Sequence, residues 1–168
     1  MNGRLFQFPD PVNETAARLV AGGVVIMSVL IVFGSQRWIL VPLAYGFVAR
    51  VLTGPTLSPL GSIVTKIVLP RFGPILGLRD KPVPGKPKRF AQTIGATLSI
   101  TALGAWLIGS TTIATVLVAM ILIAASLEAG IGFCLGCVLY GQLSKRGIVA
   151  EACPECADVS LRRRVRAA

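Results

Sequence analysis

The stretch TTIATVLVAMILIAASLEAGIGFCLGC, residues 111–137, carries no charged side chain before Glu128. Its uncharged run begins upstream at Phe90, and a second such run covers Leu19–Phe33. Runs of this length match the hydrocarbon core of a bilayer, about 30 Å thick, which about twenty apolar helical residues cross. A chain of 168 residues in water cannot build a core large enough to bury them. The composition agrees: 54% of residues are hydrophobic, only 14% are charged, and the mean hydropathy is +0.75. The expected medium is lipid.

Working outward from 111–137 gives the architecture. The fold class expected is an all-α integral membrane bundle of four transmembrane helices, at about 16–33, 38–52, 90–109 and 112–140. One short interfacial amphipathic helix is expected at about 59–70, where Leu60, Ile63, Val64, Ile67 and Val68 fall on one face. Ser58 suits its N-cap and Pro59 its first helical position, as Asn13 and Glu14 suit the start of the first span. Between about 70 and 89 proline, glycine and lysine dominate, which reads as an exposed loop. Residues 1–146 then form the membrane domain and 147–168 a basic tail containing cysteine.

Charge sets the orientation. Of the seventeen Lys and Arg residues only Arg37 falls on one side of a four-span bundle; the other sixteen lie in the N-terminal segment, the loop between the second and third spans, and the tail. The positive-inside rule places both termini in the cytoplasm, in a multi-pass protein of the cell inner (plasma) membrane. The start, MNGRLFQF, lacks the three regions of a signal peptide, so the chain is expected to begin near Met1. A net charge of +10 raises nucleic acid as a partner, but the basic residues punctuate apolar spans rather than cover a soluble face. Membrane lipid is the expected partner, and nucleic acid is not.

The four cysteines form two CxxC pairs, Cys134/Cys137 and Cys153/Cys156, separated by fifteen residues. That separation matches a four-thiolate zinc site, for which two chelating pairs must fold back onto one ion. It suits equally a thiolate relay that passes electrons or sulfur between the pairs. If a helix restarts near Leu135, its N-terminal dipole favours the thiolate of Cys134. A cytoplasmic location disfavours a structural disulfide. The plain alternative treats Cys134 and Cys137 as small apolar residues at a helix end, which leaves the second pair unexplained.

Glu128 is the one ionisable residue within the last two expected spans, about 9 Å deeper than Cys134 along a continuous helix. A carboxylate there must be neutral or paired, with Arg50 or Arg18 as candidate partners, and marks either a functional site or an ion pair that locks the bundle. The chain has no histidine and no phosphate-binding glycine motif, which removes a Ser-His-Asp triad, His-ligated metal and nucleotide hydrolysis.

Four motifs, FPDPVNETAAR (8–18), GPTLSP (54–59), KPKRFA (86–91) and LEAGIGFCLGC (127–137), resemble those of the bacterial membrane family labelled domain of unknown function 4395. The tail pair Cys153/Cys156 is similar to that family's ending. The resemblance implies a small multi-span protein associated with thioredoxin-like or rhodanese-like soluble partners, and so favours thiol–disulfide or sulfur transfer at Cys134, Cys137, Cys153 and Cys156, with Glu128 modulating their protonation. The rival expectation is a non-catalytic docking protein in which the same four cysteines hold structural zinc. A small-molecule carrier is a weaker third.

Overall fold

Helices start in this chain where a side chain can cap them and stop where glycine allows a turn. The structure is a computed structural model and describes residues 12–54, 57–72 and 82–147. Its elements are β1 (Val12–Asn13), α1 (Glu14–Val32), a 3-10 turn (Arg37–Ile39), α2 (Leu40–Thr53), α3 (Pro59–Ile63), a π-helical turn (Val64–Val68), α4 (Leu69–Phe72), β2 (Pro82–Val83), α5 (Gly85–Leu107), α6 (Thr111–Ile131) and α7 (Leu135–Lys145). β1 and β2 form a two-residue antiparallel bridge, Val12 opposite Val83 and Asn13 opposite Pro82. The Asn13 side chain accepts from the N–H groups of Thr15 (2.9 Å) and Ala16 (3.4 Å), satisfying orphan donors of α1. Ser58 does the same for α3 through Gly61 N–H at 3.3 Å, and Pro59 occupies the first turn.

Three helices, α1, α5 and α6, are long and apolar enough to cross a membrane, with 19, 23 and 21 residues. At most 33% of each apolar window is buried inside the protein, so most of this surface needs an apolar medium. Ile26, Leu30, Ile100, Ile113 and Ile123 all point outward. Inward, Leu40, Leu43, Val118 and Ile121 form the core with the small residues Ala96 and Ala102. Ser28 and Ser99 are fully buried where helices approach closely.

Two expected spans take a different form. The one expected at 38–52 is α2 behind its 3-10 turn; at 14 residues, α2 is about 21 Å long, short of a hydrocarbon core. The single helix expected over 112–140 is two helices, because Gly132 adopts φ +68°, the left-handed conformation that ends α6 and is costly for any residue with a Cβ. The third span begins five residues earlier than expected, at Gly85, and Pro87 falls in the first turn, where its missing N–H costs no helical hydrogen bond. The expected interfacial segment is helical over 59–72 and carries a π turn.

α1 packs on α6, α2 on α5, α5 on α6, and α7 runs along the start of α5, while α1 and α2 barely touch. Long-range polar contacts gather at one end of the bundle. Arg18 reaches Gly130, Lys88 reaches Glu128, and Arg89 Nε donates to Val51 O at 3.2 Å. Two of the segments that the charge pattern assigned to one side, those of Arg18 and of Lys88 and Arg89, thus meet at one end, and the tail beyond Gly147 lies outside the described residues.

α7 approaches α5 through Gly136, where an added Cβ would stand 2.5 Å from Ala91 Cα. The obstacle is backbone, so the helices themselves must separate. Gly136→Val is expected to destabilise the protein by about 1–3 kcal/mol and to speed alkylation of buried Cys137. Thermal unfolding in detergent together with mass-spectrometric thiol labelling checks both.

Candidate functional site

The site grows from the break between α6 and α7. Glu128 lies in the last turn of α6, and after Gly132 the chain passes through Phe133 to Cys134, the N-cap of α7 (φ −93°, ψ 103°). Cys134 therefore stands where Ser, Thr or Asp usually caps a helix, and its Sγ accepts from Cys137 N–H at 3.3 Å. The CxxC spacing equals the distance from N-cap to the third helical residue, which places both sulfurs on the first turn of α7. Both thiols are free and each residue is 2% exposed. The Cys137 thiol donates to Cys134 Sγ, and this hydrogen bond holds the Cys134 thiol below its ordinary pKa against the opposing effect of burial. The same bond and burial push the Cys137 thiol up. The two thiols are thus shifted in opposite directions, Cys134 down and Cys137 up.

Lys88, from the first turn of α5, forms an ion pair with Glu128, their side chains 6% and 22% exposed. Both charges act electrostatically on Cys134 and Cys137. Of the two partners expected for Glu128, Arg50 interacts with it electrostatically, while the direct ion pair is made by Lys88. Arg18 caps α6 instead: its Nη2 donates to Gly130 O (2.7 Å) and Ala129 O (3.3 Å), carbonyls that the left-handed turn leaves open. Arg50, 6% exposed near the end of α2, donates through Nε to Gly46 O at 2.8 Å and lies 4.5 Å from the centroid of the Phe47 ring. Tyr140 of α7 packs on Phe90 of α5 with ring centroids 5.6 Å apart.

These groups face a cavity of about 450 Å³, within the range of small-molecule sites. Val20, Val24, Phe47, Leu98 and Ile121 make its walls largely apolar; Arg50, Lys88, Gln92, Glu128 and Cys134 supply its polar lining. Of the two cysteines on α7, Cys134 lines it and Cys137 does not.

Of the residues singled out in the sequence, Cys134, Cys137 and Glu128 come together; Cys153 and Cys156 lie outside the described residues. Among the described residues no three His, Cys, Asp or Glu side chains converge as metal ligands. Lys88 is missed by the sequence reading because it falls just before the third span expected from Phe90, in the segment 70–89 that reads as a loop. Gln92, one helical turn after Lys88, gave no signal of its own.

A helical protein with membrane-length apolar helices and a free CxxC pair beside a largely buried ion pair is the class this arrangement defines. Within it, the chain belongs to the family described as Domain of unknown function (DUF4395), whose model matches residues 12–145. No curated protein and no solved structure matches the chain.

Removing one partner of the ion pair leaves a nearly buried charge uncompensated. Lys88→Met is expected to destabilise the protein by about 3 kcal/mol, and the added change Glu128→Leu to restore much of the loss. A double-mutant cycle of denaturant unfolding in micelles measures the coupling.

Proposed function

We propose that the protein is a multi-pass membrane thiol protein that exchanges electrons with a soluble partner at the cytoplasmic face of the plasma membrane, with Cys134 as nucleophile and Cys137 as resolving thiol. In this reading α1, α2, α5 and α6 make four passes, α2 with help from its leading turn, and 57–72 lies along the interface. The concentration of basic residues at one end of the bundle supports that face as cytoplasmic.

The observation that carries the proposal is the placement of Cys134 Sγ at the N-cap of α7 with Cys137 as its hydrogen-bond donor. A helix N-terminus stabilises an anion, and the thiolate is the reacting form. The Cys134 thiolate attacks one sulfur of a disulfide, forming a mixed disulfide and releasing the other sulfur as a thiolate that takes up a proton. Cys137 then loses its proton and attacks Cys134 Sγ. The Cys134–Cys137 disulfide forms and the second sulfur leaves, so two electrons and two protons pass to the acceptor. The reverse sequence oxidises a partner dithiol. Because both thiols are 2% exposed, the disulfide that reaches them first is the chain's own Cys153/Cys156, which then exchanges with a thioredoxin-like or rhodanese-like protein. The Lys88–Glu128 pair sets the local field on both sulfurs.

The spacing of the two CxxC pairs also favours a second reading, a structural zinc site that docks the tail on the bundle.

Iodoacetamide labelling of intact membranes is expected to modify Cys134 faster than Cys137 at neutral pH. Because the thiol pKa of Cys134 is lowered, its rate should persist below the usual cysteine range and fall only as pH drops through that lowered value. Cys137→Ala removes the donor and should move this fall to higher pH. Equal, slow labelling of both thiols, or one zinc per chain lost on Cys153→Ser/Cys156→Ser, would replace the redox reading with the structural one.

A further inference from the structure

The cavity contains donors and acceptors that the protein leaves unanswered. Arg50 lines the cavity and is 6% exposed, yet among the described residues the hydrogen bond it makes is through Nε, with none from its terminal nitrogens. A buried guanidinium with idle donors is costly unless a ligand supplies oxygen atoms. Gln92, also in the lining, has a buried Oε1 with no hydrogen-bond donor. Cys134 lies in the same lining, and the remaining wall is apolar. An occupant must therefore be largely apolar, present oxygen atoms that accept from Arg50, gain a hydroxyl that can donate to Gln92, and react with a thiol.

Charge narrows the choice further. Lys88 and Glu128 answer each other as an ion pair, which leaves Arg50 and the Cys134 thiol to meet an occupant. A thiol in the lining favours an oxygen acceptor that can also take electrons, which neither a lipid phosphate nor a fatty carboxylate can do.

We infer that this cavity binds the head group of a lipid-soluble quinone and that the Cys134/Cys137 dithiol reduces it. The inference rests on the redox reading above and names the acceptor. The Cys134 thiolate bonds to a ring carbon of the quinone. Cys137 gives up its proton, and its sulfur attacks Cys134 Sγ; the S–S bond forms as the C–S bond breaks, and the electron pair stays on the ring. The two protons released by the thiols complete the quinol, so the dithiol loses two electrons and the quinone gains two electrons and two protons. Arg50 holds a quinone carbonyl oxygen, and Gln92 Oε1 accepts from the hydroxyl of the product. The disulfide so formed then draws electrons from a partner dithiol.

The test uses the full-length reduced protein in lipid nanodiscs, with decylubiquinone as the probe. Quinol formation is followed by the loss of the quinone absorption band, and exchange with hydroxyethyl disulfide is measured in parallel. The expected result is one quinol formed per Cys134–Cys137 disulfide, with neither product in Cys134→Ser. Arg50→Gln should lower the ratio of quinone reduction to disulfide exchange by about tenfold or more, as expected for losing a hydrogen bond from a charged donor. Should Arg50→Gln fail to fold, Gln92→Leu and an azidoquinone photolabel mapped to α2 and α5 provide the same readout. Exchange with hydroxyethyl disulfide but no quinol would overturn the quinone inference and leave the redox reading standing. Loss of both activities in the wild-type protein would overturn both. Displacement of the photolabel by anionic phospholipid but not by excess quinone would assign the cavity to a lipid head group instead.

Discussion

The ion pair between Lys88 and Glu128 is the constraint around which the rest of the structure is organised. It joins the first turn of α5 to the last turn of α6, two helices that pack on each other. A carboxylate near the end of a membrane-length helix must find a cation, and only a cation at the same depth will serve. That requirement fixes how far α5 extends into the basic segment, and it brings Lys88 to α6 rather than to solvent. The pair also lies against the two thiols, so the interaction that aligns the helices sets the field in which the sulfurs ionise.

The second constraint is the break at Gly132. A straight continuation of α6 would carry Cys134 about 9 Å beyond Glu128 along the axis. Because the chain turns at Gly132, α7 runs along the start of α5, and the CxxC pair comes within electrostatic reach of Glu128 and Lys88. The turn opens the carbonyls of Ala129 and Gly130, and the Arg18 guanidinium closes them. Three termini are thus stitched together at one end: the start of α1 through Arg18, the start of α5 through Lys88, and the end of α6 through its carbonyls and Glu128.

Much of this was legible in the sequence, and the parts that were not have physical reasons. Charge-free runs located α1, α5 and α6, and the caps at Asn13 and Ser58 were readable because a short polar side chain before an apolar period has few other uses. Cys134 and Glu128 stood out as costly or reactive residues in apolar surroundings. Continuity of the last helix was not legible, since a glycine inside an apolar run is tolerated in membrane helices and signals a turn only when its φ is positive. Lys88 was hidden by Pro87: a Lys-Pro-Lys run reads as a loop, whereas the first helical turn accepts proline at no cost in hydrogen bonds. Gln92 carries no local signal and Arg50 reads only as a candidate partner of Glu128, because what marks their place in the cavity is three-dimensional.

The burial of the thiols bears on the order of events. Cys134 and Cys137 are each 2% exposed, and Cys134 lies in the lining of the internal cavity. A soluble protein cannot place its own disulfide there without parting α7 from α5, which the close approach of Gly136 to Ala91 resists. A small molecule that fits the cavity avoids that obstacle, and for a thiol pair on the same chain the tether raises the local thiol concentration toward the millimolar range. The proposed function then implies a division of labour, in which the buried pair handles what enters the cavity and the tail pair handles what arrives from water. In that arrangement, loss of the tail cysteines should abolish exchange with a protein partner while sparing exchange with a small disulfide. Loss of Cys134 should abolish both.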